Sequence, residues 1–421
     1  MLNKKLFTNI WLFLIVFIAV SVLADFYYHN RLTYHKNPEK KGWICRCDFR
    51  VFWLAAYNMR HQSGQPGASE KYTVYDISEK FYHFRYAPFA AFMMVPVSLI
   101  SSPAAALSVW FILLNAAMLL SLLFLVKQLS GDFNLAIRQR FIILWAAFIV
   151  SLRFYFMNLS IGQTDVLIAF LFVLFLIGYA RDKELLSGII FALILQFKPF
   201  YAPMLFYFML VGKKRLVLST IAAFAAFLFA PALVVGFDKA VMLLKGWIAI
   251  VAASVPSQLL IYKNQSITYF LSDLLLKHTN VEKIIRADYL FYLIGAGLTL
   301  SIYMALFRFK KFVREKDAQK YKYLEVSALI MASLLFSPIA WVASFISLII
   351  PFGVALLFVL NSSKRKGLYI ALAAFFILSC IAGTDFTNFI PFLNKFRTTN
   401  IAFGTLFLAY TLIYSYKQNA A

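Results

Sequence analysis

The chain has 421 residues, of which 62% are hydrophobic, 18% aromatic and 14% charged, and it carries a formal net charge of +23. A soluble domain, in which about a quarter of residues are charged, is excluded. The apolar runs are continuous rather than alternating, which excludes a closed membrane barrel, and without a Walker or Gly-rich phosphate loop a nucleotide-driven pump is not expected.

In chain order, apolar runs suited to crossing about 30 Å of hydrocarbon fall at 8–25, 103–127, 141–157, 163–180, 187–199, 200–212, 216–235, 287–308, 324–341, 342–361, 367–383 and 399–416. The expectation is an all-α, polytopic transmembrane helical bundle of about twelve spans, as one integral-membrane domain over 1–421 with both termini on one side. Runs 187–199 and 200–212 are each too short to cross upright and meet at Lys198-Pro199, so they read as a re-entrant or broken helix pair. The stretch 87–101 carries Pro88 and Pro96 and reads as an interfacial or re-entrant helix. Residues 1–24 also fit a signal peptide, with Lys4 and Lys5 ahead of an apolar core, but that core is long enough to remain as an anchor.

Short basic segments set orientation. Arg181, Lys183, Lys213–Arg215, Arg308, Lys310, Lys311 and Lys364–Lys366 are dense in one set of short connections, which predicts a cytoplasmic N-terminus in the plasma membrane. Loops 27–102 and 236–286 are then extracytoplasmic. The partners expected are membrane lipids rather than nucleic acid.

The polar residues gather in these outer segments. Asp48 opens a predicted amphipathic helix, Asp48-Phe-Arg-Val-Phe-Trp-Leu-Ala-Ala56, where it reads either as a helix cap or as a general base; Asp25, at the end of the first span, is the rival base. Arg85 and Tyr86 follow in Phe84-Arg-Tyr-Ala-Pro88. Gly162-Gln163-Thr-Asp165 opens the fourth span, Lys198-Pro199 interrupts the broken pair, Asn264-Gln265-Ser266 lies in the second outer loop, and Ser337-Pro338 precedes Trp341. A lysine inside an apolar run is costly, so Lys198 either faces a partner or cavity or snorkels to the interface. Arg153 and Asp165, near the same end, are expected to pair. Gln163, Asn264 and Gln265 suit sugar hydroxyls or bonds between helices. Cys45-Arg-Cys47 and the nearby histidines lack a metal-ligand spacing, so neither a metal nor a cofactor is expected.

In the order of these motifs the chain resembles glycosyltransferase family 87, polytopic GT-C enzymes that use polyprenyl-phosphate sugars. Where that family usually has Asn on either side of Gly-Gln, this chain has Ile161 and Asp165. The resemblance implies inverting transfer of a hexose, with mannose the sugar it favours, from a polyprenyl-phosphate donor to an extracytoplasmic lipid or glycan acceptor. Such a donor brings its own leaving group, so one base suffices while cations offset charge on the departing phosphate. Asp48 is the candidate base, Arg85 and Lys198 the phosphate partners, and Tyr86, Gln163, Asn264 and Gln265 the sugar or acceptor contacts. A carrier or flippase for lipid-linked sugars and an oligosaccharide polymerase or ligase are the alternatives.

Overall fold

A computed structural model describes residues 4–33, 48–62, 74–75, 84–259, 264–279, 287–363, 365–382 and 399–420. Among these the structure is helical, and the one β-bridge links Asn264 to Trp341. The helices are α1 (Lys4–Thr33), α2 (Asp48–Gln62), α3 (Pro88–Met93), α4 (Val95–Ser98), α5 (Pro103–Phe133), α6 (Ile137–Ile161), α7 (Asp165–Ala180), α8 (Glu184–Phe197) and α9 (Pro203–Leu210). They continue as α10 (Lys214–Phe229), α11 (Ala232–Val235), α12 (Phe237–Leu259), α13 (Ile267–His278), α14 (Ala287–Lys310), α15 (Ala318–Phe336), α16 (Ile349–Leu360), α17 (Lys366–Phe376) and α18 (Asn400–Ala420). Cys45, Cys47, His35 and His83 lie outside the described residues.

Helices stand at every position where an apolar run predicts a crossing, and among the described residues six segments are both long and apolar enough to span a bilayer: Asn9–Asn30, Pro103–Phe133, Ile137–Ile161, Lys214–Val235, Tyr289–Lys310 and Val342–Leu360. Shorter apolar helices occupy Asp165–Ala180, Glu184–Phe197, Pro199–Leu210 and Lys366–Ile381. The protein is therefore a helical membrane protein. The 236–286 stretch, read as a loop, instead contains α12 and α13. Charged residues such as Asp238, Lys239 and Lys245 interrupt its apolar pattern without stopping the helix.

Local chemistry explains the breaks. Ser102 caps α5 by accepting from Ala105 N at 3.4 Å, with Pro103 in the first turn, where its missing N–H costs nothing. At Lys198 the backbone leaves the helix (φ −136°, ψ 77°) because Pro199 has no N–H to donate and disfavours helical geometry in the residue before it. A 3-10 turn, Pro199–Tyr201, then leads into α9. Lys213, beyond α9, pairs with Asp182 at 3.2 Å and Glu184 at 3.0 Å beside the start of α8, so the chain has returned to the level from which α8 began.

The core forms around α15, α16 and the middle of α5, α6 and α7. Although Val342–Leu360 is as apolar as a lipid-facing span, 94% of its most apolar window is buried, against 22% for α1. The outer helices show the opposite pattern: α1 exposes Trp11, Leu12, Ile15 and Leu23, and α14 exposes Leu293 and Leu300. A continuous apolar exterior of this kind suits lipid.

Polar connections collect at one end. Lys322 reaches Asp182 at 2.5 Å, Arg181 bonds Gln128 at 3.0 Å, Gln319 bonds Asp132 at 2.6 Å, Gln139 bonds Asn361 at 3.1 Å, and Lys320 reaches the Asn419 carbonyl at 3.1 Å. Just inside, the buried carboxylate of Glu325 accepts hydrogen bonds from Tyr179 and Tyr207 and lies 3.7 Å from Lys310. The predicted basic segments thus share one end of the bundle. From Asp165 to Ala180, α7 rises roughly 24 Å to the opposite end, where the remaining motifs meet.

Candidate active site

Asp48 is the first residue of α2, and its Oδ2 accepts a hydrogen bond from Gln163 Nε2 at 2.6 Å. The turn between α6 and α7 makes this meeting possible. Gly162 adopts φ +66°, the left-handed conformation that glycine enters without a Cβ penalty, and a Cβ there would lie 2.4 Å from Phe49 Cβ. Only glycine lets α2 pack directly on the turn. Trp110 Nε1 donates to the Gly162 carbonyl at 3.0 Å, and Gln163 N–H donates to the Asn158 carbonyl at 2.9 Å.

Tyr86 joins the cluster by donating its hydroxyl to Gln163 Oε1 at 3.1 Å, while its ring packs 4.5 Å from that of Phe52 on α2. Burial pushes the Tyr86 hydroxyl up to about 12; Lys198 opposes the rise, and the carboxylates of Asp48 and Asp165 add to it. It therefore remains protonated at ordinary pH. The neighbouring Arg85 is half-buried with Nε lacking a hydrogen-bond partner among the described residues, and its carbonyl receives Trp247 Nε1 at 3.0 Å. Burial lowers the Arg85 guanidinium from its usual range, and the fields of Tyr86 and Asp48 partly restore it. The guanidinium thus stands within electrostatic reach of Asp48.

Lys198, where the broken helix turns, lies 3.1 Å from Asp165 Oδ1 and 3.5 Å from Ser344 Oγ, with its ammonium 6.0 Å from the centre of the Tyr86 ring. The bond from Ala87 N–H to the Gln196 carbonyl, 3.4 Å, fastens the Arg85–Ala87 segment beside this break. Asp165 therefore partners Lys198 and not Arg153, which donates to the carbonyls of Ser379 at 2.6 Å and Ala382 at 2.9 Å. Helix rotation, which sequence proximity does not reveal, turns Arg153 toward the helical turn Ile377–Ile381 that follows α17. Ser344 and Trp247 carry no sequence signal that marks them as site neighbours.

Two further predicted residues, Asn264 and Gln265, lie against Ser337–Trp341. Asn264, fully buried, donates to the Pro338 carbonyl at 2.6 Å and accepts from Ala340 N–H at 3.0 Å and Ser266 N–H at 3.2 Å. Both ends of its amide hold the 264–266 segment against Ser337–Trp341. Gln265 is buried beside it and donates its N–H to the Ala340 carbonyl at 2.7 Å. Asp25 lies within α1, where Asn115 Nδ2 donates to it at 2.5 Å; Tyr155 donates to Asn115, and Ser21 lies 3.2 Å from the Tyr155 hydroxyl. It belongs to a network joining α1, α5 and α6 rather than to an open interface. Among the described residues no group of three or more His, Cys, Asp or Glu stands together as a metal site.

The sequence profile of glycosyltransferase family 87 matches residues 84–338, which hold Arg85, Tyr86, Gln163, Lys198, Asn264 and Gln265. The chain belongs to glycosyltransferase family 87. It is a membrane glycosyltransferase, an enzyme that acts on a sugar donor and an acceptor. Asp48 precedes the matched segment of this glycosyltransferase and is joined to it through Gln163. No curated protein matches the chain.

Proposed function

We propose that this glycosyltransferase moves a hexose, with mannose favoured by the family resemblance, from a polyprenyl-phosphate donor to an extracytoplasmic lipid or glycan acceptor, with inversion. The observation that carries this reading is the meeting at one end of the bundle of Asp48, linked through Gln163 to Tyr86, with two cations, Arg85 next to Tyr86 and Lys198 at 6.0 Å from its ring, the latter also paired with the second carboxylate of the cluster, Asp165. Asp48 takes the proton from the acceptor hydroxyl as that oxygen bonds to the anomeric carbon. The bond from that carbon to the phosphate oxygen breaks, and the electron pair leaves with polyprenyl phosphate. Arg85 and Lys198 offset its charge.

A lipid-linked donor is supported by a groove of about 440 Å³ that begins at Pro199 and Phe200, directly after Lys198, and runs along Gly295, Ala296 and Thr299 of α14 to Tyr303. Its lining is mostly apolar, and its size is that of a ligand site. An isoprenoid chain in this groove would bring its phosphate toward Lys198. About twelve crossings, with α8 and α9 as the broken pair, would place the basic connections inside and the site outside the plasma membrane. Asn264 serves this arrangement by fixing the loop beside Trp341, and Gln265 and Tyr86 remain the proposed sugar or acceptor contacts.

Transfer from radiolabelled polyprenyl-phosphate hexose by purified protein in nanodiscs tests the reading. Asp48→Asn keeps the shape but not the proton acceptor, so turnover should fall by roughly 100-fold or more with thermal stability nearly unchanged, whereas Asp25→Asn should retain most activity. Wild-type-like transfer by Asp48→Asn removes Asp48 as base. Movement of intact glycolipid between leaflets without transfer would instead favour a carrier.

A further inference from the structure

Gln163 occupies the turn between α6 and α7 at 3% exposure. Side-chain amides are ambiguous in orientation until a neighbour fixes them. Here the neighbour is Thr164 N–H, which can only donate and lies 2.9 Å from Gln163 Oε1. The amide nitrogen, a donor only, must then face Asp48, and it does so at 2.6 Å. The same oxygen receives the Tyr86 hydroxyl at 3.1 Å and the Thr164 hydroxyl at 3.2 Å. Its backbone is fastened to Asn158, and the adjoining Gly162 lies against Phe49, the residue after Asp48. An amide with both ends committed in this way is poorly disposed to read a sugar hydroxyl, although residue type alone suggests that role.

We propose that Gln163 is a positioning residue for Asp48: its Nε2–H holds one carboxylate oxygen in place and keeps the carboxylate ionised for proton abstraction. This rests on the reading of Asp48 as base. A hydrogen bond donated to a carboxylate favours the charged form. Removing it raises the carboxyl pKa, so the base is deprotonated only at higher pH and the acid limb of the rate profile moves upward. Among the described residues, the titratable and charged groups whose fields meet at Asp48 are Arg85 and Tyr86 from the segment before α3 and Lys198 from the helix break, the last paired with Asp165 of α7, while Arg50 lies two residues along α2. Lys198 is held by Asp165 and Ser344 rather than by Gln163.

The test is the pH dependence of kcat and KM in the transfer assay for wild type, Gln163→Met, Gln163→Glu and Asp48→Asn. Gln163→Met should lower kcat about tenfold near pH 7, leave both KM values within about threefold, and move the acid limb up by about one pH unit. Gln163→Glu keeps an oxygen for Thr164 and Tyr86 but sets a second carboxyl against Asp48, so it should move the limb further. That variant also keeps the test decisive should loss of the Thr164 acceptor prevent Gln163→Met from folding. A sugar-contact role gives the opposite split, a raised KM with an unmoved acid limb, and that result overturns the proposal. Transfer by Asp48→Asn would remove the base itself. An inactive Asp48→Asn beside Gln163 variants with the wild-type acid limb would remove only the positioning role.

Discussion

Asp165 gives one carboxylate oxygen to Lys198, and its second is buried without a hydrogen-bond partner among the described residues. A pair shielded to 15% and 3% side-chain exposure stands or falls together, because removing either member leaves the other charge buried and uncompensated. Lys198→Met and Asp165→Asn should each lower unfolding stability by about 3 to 5 kcal/mol, and the double variant should lose less than the sum of the two. Thermal unfolding of purified protein in detergent measures the coupling; strictly additive losses would show that the pair does not stabilise the fold. Lys198→Met should also lower turnover, which Asp165→Asn need not do. At this scale the sequence was partly legible. A lysine inside an apolar run announces a partner, yet the partner comes from another helix, and only the rotation of α6 and α7 decides between Arg153 and Lys198 as the neighbour of Asp165. Asn264 shows the same limit, since residue type cannot tell an amide that reads a sugar from one that clasps backbone.

Among the elements, the α6–α7 turn has little freedom. In Gly162→Ala the new Cβ meets both an unfavourable positive φ and Phe49 at 2.4 Å, so α2 must shift away from Gln163. Transfer activity should drop at least about tenfold and the unfolding temperature should fall, since alanine at positive φ alone costs on the order of 1 kcal/mol. Wild-type kinetics in this variant would mean that α2 does not depend on close packing with the turn. The elements that proved legible have strong local causes: Pro199 breaks a helix wherever it lies, and an Asp at the head of an amphipathic stretch marks the start of α2. Helix α12 was obscured because Asp238, Lys239 and Lys245 interrupt any apolar run, although a helix lying along an interface accommodates charges on one face.

At the scale of the molecule, the shared end of the basic connections predicts which surface meets the cytoplasm. With Cys45, Cys47 and Cys380 replaced by serine, Asp238→Cys should react with an impermeant thiol reagent in intact cells, and Lys316→Cys should react only after lysis; the reverse pattern would place the site on the inner face. Overall hydropathy made the helical class legible because lipid demands continuous apolar helices, but it could not separate the buried Val342–Leu360 from a lipid-facing span, as both are equally apolar. The distribution of polar bonds has a mechanical consequence. Helix α7 is tied at Arg181 and Asp182 to Gln128, Lys213 and Lys322, while its other end carries Asp165 roughly 24 Å away. Over that length each degree of tilt about the tied end would displace Asp165, and with it the turn that carries Gln163, by about 0.4 Å. Since a displacement of about 1 Å can cost on the order of 100-fold in rate, an angular error of only two or three degrees at the remote bearing is enough to misalign the site.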